Sequence, residues 1–382
     1  MKKLSLLSIL FLSIPFFAKS QQLIIDKELS MPYDSAVSQK LLFYLNAFIN
    51  EKNKSFKDLK TLSPNNINAN YLLIDAMKNV EFEGKDSTFY KPHLINILPI
   101  NKSDFEVQIA FMNNNDLKGI FSLLAREQGE KFVFESPLQI ITTGWKVEKI
   151  GKITYHYPNN LDKKKALHFN DKYLFYNKIL NIDAEPIDFY AFKNLHDALR
   201  SLGVTYYKDY NGQQNNVLFS SEVSPNLNLN GYIYRQEGDE HDLFHDCVGK
   251  VLDKNKGYRP VNEGVAYLYG GYGGNVCYST EEIKKLLKDY AQTDNNINWL
   301  DLYKKNIRLN KDKSSPLYFC YALNMLLAEK IEKEKGFSKV LELMSCGKRQ
   351  KDEENYLESL NKIIGVNESS YNAEIDLLIK ML

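Results

Sequence analysis

Asp239-Glu240-His241-Asp242-Leu243-Phe244-His245 is followed, 18 residues after His245, by Glu263 in Asn262-Glu263-Gly264-Val265-Ala266-Tyr267. On a helix, residues four apart share a face, so His241 and His245 can aim both imidazoles at one point. Glu263 falls where a second helix, returning past the first, would add an oxygen ligand. Two histidines and one glutamate leave a tetrahedral zinc with its fourth position open to water, the layout of a catalytic rather than a structural site. The residues therefore predict one bound Zn2+, held by His241, His245 and Glu263. The chain has only six histidines, and the pair alone is modest evidence. If it is not a clamp, it is a polar helix face, and Glu263 is a solvated helix residue.

His241-Asp242-Leu243-Phe244-His245 with Glu263-Gly264-Val265-Ala266 resembles the gluzincin zinc metallopeptidases, specifically the peptidase MA-like group, in order, spacing and helical setting. In that family an HExxH helix is followed by a helix bearing EGxA, whose glutamate is the third zinc ligand. Ile153–Pro158 looks like the opening strand of such a domain, Pro186–Tyr190 like its next strand, and Ser315–Lys335 with Gly336 like its closing helices. The resemblance spans roughly residues 146–382 and implies peptide or protein substrates cleaved by zinc-activated water. One position departs from the pattern. The family's general-base glutamate is replaced by Asp242, which keeps the carboxylate but withdraws it by one methylene. Proton transfer needs the base within about 2.6–3.2 Å of the water, and a misplacement near 1 Å can cost about 100-fold in rate. Asp242 is thus the expected catalytic residue of a slowed peptidase. The alternative is an inactive gluzincin-like domain that binds peptide or protein. The nearby Tyr267, Tyr269, Tyr272 and Tyr278 are candidate oxyanion stabilisers, although packing explains each as well. Gly270–Gly274 reads as a flexible lip to a cleft or a point where backbone approaches substrate.

Outward from this core the chain reads as α+β, with a small helix-plus-antiparallel-sheet domain at 21–145 ahead of a zincin-like α+β domain at 146–382, mainly helical from Glu240 onward. Leu41, Leu42, Leu45, Phe48 and Ile49 predict an amphipathic helix, and a second helix is expected over Ile67–Val80. Phe105, Val107, Ile109 and Phe111 alternate as in a half-buried strand. Strands are also expected at 118–126, 131–135, 137–142 and 145–157, an outline similar to cystatin-like folds. In the second domain, helices are expected at 161–182 and 194–202, strands at 186–192, 217–220 and 230–235, and long amphipathic stretches at 281–290, 316–335 and 354–380.

Residues 1–20 differ from the rest: Lys2 and Lys3 precede an apolar run, and Ala18-Lys19-Ser20 supplies small residues at the cleavage positions. This predicts a signal peptide, and hence an exported, periplasmic or secreted chain of bacterial character. No later segment reads as a membrane span. Lys+Arg number 49 against 48 Asp+Glu in 382 residues, so the electrostatic footprint of a nucleic-acid binder is missing and nucleic acid is not expected as a partner. In an exported chain the four cysteines permit disulfides. Cys247–Cys277 and Cys320–Cys346 are the nearest pairs along the chain, with buried thiols as the alternative. No G-x-S-x-G elbow or cysteine-nucleophile motif competes with the metal site.

Overall fold

The structure is a computed structural model that describes residues 22–382 except 26–27, 32–34, 56–57, 82–85, 87–88, 211–217, 222–223, 233–234, 254, 274–275, 295 and 313–314. The expected signal peptide lies outside the described residues. Two compact units of α+β architecture are present: the chain to Pro64 with Ala76–Glu135, and Asn65–Asp75 with Ser136–Leu382.

In the first unit, strands β1 (Ile24–Ile25), β2 (Lys91–Pro99), β3 (Asp104–Asn113), β4 (Asp116–Gln128) and β5 (Lys131–Glu135) follow one another in sheet order. All pairings are antiparallel except β1 with β2. The expected alternation holds in β3, where Phe105, Val107, Ile109 and Phe111 all face the core. Two-residue loops close the β3–β4 and β4–β5 hairpins. Asn113 pairs with Asp116 and Gln128 with Lys131, and Asn114 and Gly129 take the positive φ that such turns require. Helix α1 (Ser35–Glu51) buries Leu41, Leu45, Phe48 and Ile49, with Phe48 on Phe134 of β5. Just past α1, Lys52 forms a buried ion pair with Glu81 and lies over the Phe111 ring. Helix α2 (Ile67–Asn79) has its residues to Asp75 in the second unit.

The second unit begins with a correction. Residues 137–142, expected to be extended, include the single helical turn α3 (Leu138–Ile141). Pro137 fixes its own φ and caps the turn, and Leu138 is buried while Ile140 and Ile141 are exposed. An apolar run this short carries no period that separates turn from strand. Then come β6 (Lys146–Ile150), β7 (Ile153–Tyr157), α4 (Lys163–Ile179), β8 (Ile187–Ala191), α5 (Leu195–Leu202), β9 (Val204–Tyr207), β10 (Leu218–Ser221) and β11 (Ser224–Asn230). The sheet runs β10-β11-β8-β7-β6, with β11, β8 and β7 parallel and both edge strands antiparallel. The strand expected at 230–235 instead ends at Asn230, and its buried Leu227 and Leu229 lie among asparagines that hid it from a hydrophobic pattern.

Among the described residues eight helices complete the unit: α6 (Glu240–Gly249), α7 (Arg259–Gly270), α8 (Thr280–Ala291), α9 (Trp299–Lys304), α10 (Phe319–Lys335), α11 (Phe337–Met344), α12 (Glu354–Ile364) and α13 (Tyr371–Lys380). The stretch expected to be continuous from 354 to 380 is two helices, broken at Gly365 with φ +73°. The core runs from the sheet through Tyr155, Phe189 and Phe244 to α10, whose Cys320, Leu323, Leu327 and Ile331 are fully buried. Neither expected disulfide forms. Cys247 on α6 is buried against Asn177 whereas Cys277 is exposed, and Cys320 contacts Asn306. Nearness along the chain did not bring those thiols together, because Cys247 and Cys320 are buried on α6 and α10 while Cys277 and Cys346 lie in irregular chain outside any helix. No helix among the described residues is long and apolar enough to cross a membrane.

Candidate metal centre

Helix α6 starts at Asp239, a buried cap whose carboxylate accepts from the backbone N–H groups of His241 (2.9 Å) and Asp242 (3.1 Å) and pairs with Arg235. This sets the rotation of the turn that carries the first histidine. Helix α7 enters through Pro260, whose missing N–H has no partner to lose in a first turn. Glycines let the helices close up. A Cβ on Gly270 would fall 2.5 Å from the His241 nitrogen, and one on Gly264 would meet Asn324 Cβ at 2.6 Å and the Tyr321 carbonyl at 2.8 Å. Gly264, next to Glu263, therefore seats α7 on α10. Gly264→Val is expected to destabilise the chain by about 1–3 kcal/mol through overpacking. Hydrogen exchange of the α7 and α10 amides in the variant beside the parent measures it.

His241, His245 and Glu263 converge. The two Nε2 atoms are 3.1 Å apart, and Glu263 Oε2 lies 3.5 Å from His241 Nε2 and 3.7 Å from His245 Nε2. A triangle with those sides has a circumscribed radius of about 2.0 Å, the bond length of imidazole nitrogen or carboxylate oxygen to an ion such as zinc. One ion can thus reach all three donors, so the group could hold a metal. His241 Nδ1 lies 2.8 Å from the Gly271 carbonyl, which can only accept. The proton of a neutral His241 therefore sits on Nδ1, and the Nε2 lone pair faces the other two donors, the outer bond typical of metal-ligating histidines. Glu263 Oε1 takes a bond from Arg259 (3.3 Å), leaving Oε2 for the centre. Among the described residues no other group of histidine, cysteine, aspartate and glutamate converges in this way.

Burial opposes the Glu263 charge, yet hydrogen bonds and charge from the two imidazoles hold its carboxyl well below the usual range. Burial likewise pulls His241 down, but hydrogen bonding to Glu263 and its charge prevail and raise it. A metal must displace the His241 proton. Zinc affinity is therefore expected to fall as pH drops through that raised value, by about tenfold per pH unit for each proton displaced. The loss should begin at higher pH than for an ordinary histidine. Chelator-competition titrations between about pH 8 and about pH 5.5 read it.

Asp242 sits on α6 beside these donors. Burial and the Asp239 charge push its carboxyl up, against the Tyr232 bond and the two imidazoles. Its Oδ2 accepts from the Tyr232 hydroxyl at 2.6 Å. Glu240 is engaged elsewhere, with His168 at 3.0 Å and Lys172 at 3.1 Å. Asp246 is half-buried on α6, one step past His245. The Tyr267 ring packs against His241, and Tyr269 is tied to Glu332. Tyr272 and Tyr278 pair across an isolated antiparallel bridge, with their rings in contact. Of the remaining histidines, His156 bonds Asp188 and stacks on Tyr190, His196 is exposed, and His93 lies in the first unit.

Two participants were not legible in advance. Gly271 acts through its carbonyl, which has no side-chain signature. Nearby, Gly270 and Gly273 closely approach the start of α6 and the Asp239 carboxylate. Tyr232 lies ten residues before Asp242 in irregular chain, one of 25 tyrosines. Arg259 could have been found, since it stands four residues before Glu263. No model of a known protein family matches this chain, and no curated protein or solved structure compared with it matches either.

Proposed function

We propose that this chain is an exported, zinc-dependent metallopeptidase of the gluzincin kind, holding one zinc through His241, His245 and Glu263 and using Asp242 as general base. The observation that carries the reading is the convergence of these three donors on one point, with the His241 ring oriented by the Gly271 carbonyl. Zinc, when bound, supplies Lewis acidity toward a peptide carbonyl and lowers the pKa of water to about 7. Asp242 would take a proton through Oδ1 and return it to the leaving amine, while Tyr232 retains Oδ2. Arg259 holds the second Glu263 oxygen away from the centre. The second reading, a binding module without turnover, draws on the shortened Asp242 side chain.

The test is zinc stoichiometry together with hydrolysis of a mixed fluorogenic peptide pool by the purified chain. Expected are one zinc per chain, cleavage lost on chelation and restored by zinc, and a loss of about 100-fold or more in Asp242→Asn with zinc retained. A zinc-loaded parent that cleaves nothing would select the binding module, and a parent that takes up no zinc would end the metallopeptidase reading and leave only a fold used for binding.

A further inference from the structure

The geometry points to Tyr232 as the positioning residue for Asp242, a proposal that rests on the metallopeptidase reading. Its frame is rigid. Buried Asn230, the last residue of β11, donates through Nδ2 to the carbonyls of Arg235 (2.7 Å) and Gln236 (3.0 Å), and its Oδ1 accepts from the Tyr232 backbone N–H at 3.1 Å. Gly231 presses on the start of α5, where a Cβ would come 2.9 Å from Leu195 Cα. Arg235 then pairs with Asp239, the residue that caps α6. The segment delivering the tyrosine is thus bound to the helix that carries Asp242, and Tyr232 donates to Asp242 Oδ2 at 2.6 Å. Oδ1 accepts no bond among the described residues.

A lone aspartate on a helix swings between rotamers. A short bond from a buried-side hydroxyl selects one and leaves a single oxygen open. In a family pattern built on glutamate, the missing methylene removes reach, and a tether that holds the shorter side chain in one pose restores part of what length supplied. Tyr232 touches neither donor set nor substrate in this account; it acts through Asp242.

Four forms of the full chain test the proposal: parent, Tyr232→Phe, Asp242→Glu and the double variant. Each is assayed for zinc affinity by chelator competition and for kcat and KM on the peptide pool. Expected for Tyr232→Phe are unchanged zinc affinity and KM with kcat lower by about tenfold or more. In the Asp242→Glu background, whose longer side chain needs no tether, the same change should alter kcat by less than about twofold. A crystal structure of metal-free Tyr232→Phe should show Asp242 in a new or a split rotamer. Equal losses in both backgrounds, a rate unchanged or raised by Tyr232→Phe, or an Asp242 rotamer that stays put would each overturn the proposal. So would a zinc-loaded parent with no turnover, because there would be no base to position. A parent that binds no zinc removes the underlying reading, and the zinc titration identifies that case before any rate is compared.

Discussion

His241→Ala is expected to abolish stoichiometric zinc binding at micromolar protein. Removing one of three protein donors should weaken affinity by about a hundred- to a thousandfold, given that several such ligands share a total of about 10–16 kcal/mol in structural sites. His241 has the largest share because it is the donor whose ring the Gly271 carbonyl orients, so its lone pair is already aimed before metal arrives. His245→Ala should follow closely. Elemental analysis after dialysis against equimolar zinc reads the result, and His168→Ala, whose imidazole serves Glu240, is the control that should retain the metal. Thermal melting supplies a second readout. Zinc at about 100 times its dissociation constant stabilises the parent by about 2.7 kcal/mol. A chelator should therefore lower the parent Tm and leave the His241→Ala value unmoved. Full zinc occupancy in His241→Ala would refute the assigned donor set.

The largest stability effect is expected far from that site in sequence. Lys52 and Glu81 form an ion pair in which both side chains are essentially solvent-inaccessible, and burial lowers the Lys52 pKa even against the Glu81 charge. Lys52→Met keeps the packing over Phe111 but leaves Glu81 with only the Asn53 amide on its other oxygen. An uncompensated buried charge of this kind costs about 3–5 kcal/mol. The double variant Lys52→Met/Glu81→Leu should recover most of that loss, since an apolar pair avoids the desolvation that the ion pair incurs. Because the chain has two compact units, a single global unfolding energy is the wrong observable. Hydrogen exchange of α1 and β3 amides reads the local change, with faster exchange expected in the single variant and near-parental exchange in the double. A single variant as well protected as the parent would show the pair to be dispensable.

Legibility followed the range of the interaction. Period-two alternation in β3 and three-to-four spacing in α1 are local consequences of backbone geometry, and both were readable residue by residue. The turn at Leu138–Ile141, the strand at Ser224–Asn230 and the two disulfide pairs were misread for one reason: what decides each lies elsewhere in the chain. Tertiary burial of Leu138, with Ile140 and Ile141 left exposed, selects the turn. Leu227 and Leu229 become strand residues by pairing with β8, and the cysteines part company because packing buries Cys247 and Cys320 on α6 and α10 while Cys277 and Cys346 lie in irregular chain.

The sequence alone determined an α+β chain, the amphipathic elements, and a helical spacing that sets His241 and His245 on one face, because a 3.6-residue period is enforced by hydrogen bonds within the helix itself. Whether Glu263 meets those imidazoles depends on how α7 crosses α6 and α10, which Gly264 and Gly270 permit by lacking a Cβ at points of backbone contact. Tertiary structure alone also brought the Gly271 carbonyl to His241 and the Tyr232 hydroxyl to Asp242, since a hydrogen bond across 30 or 10 residues is set by packing and leaves no periodic trace in the chain.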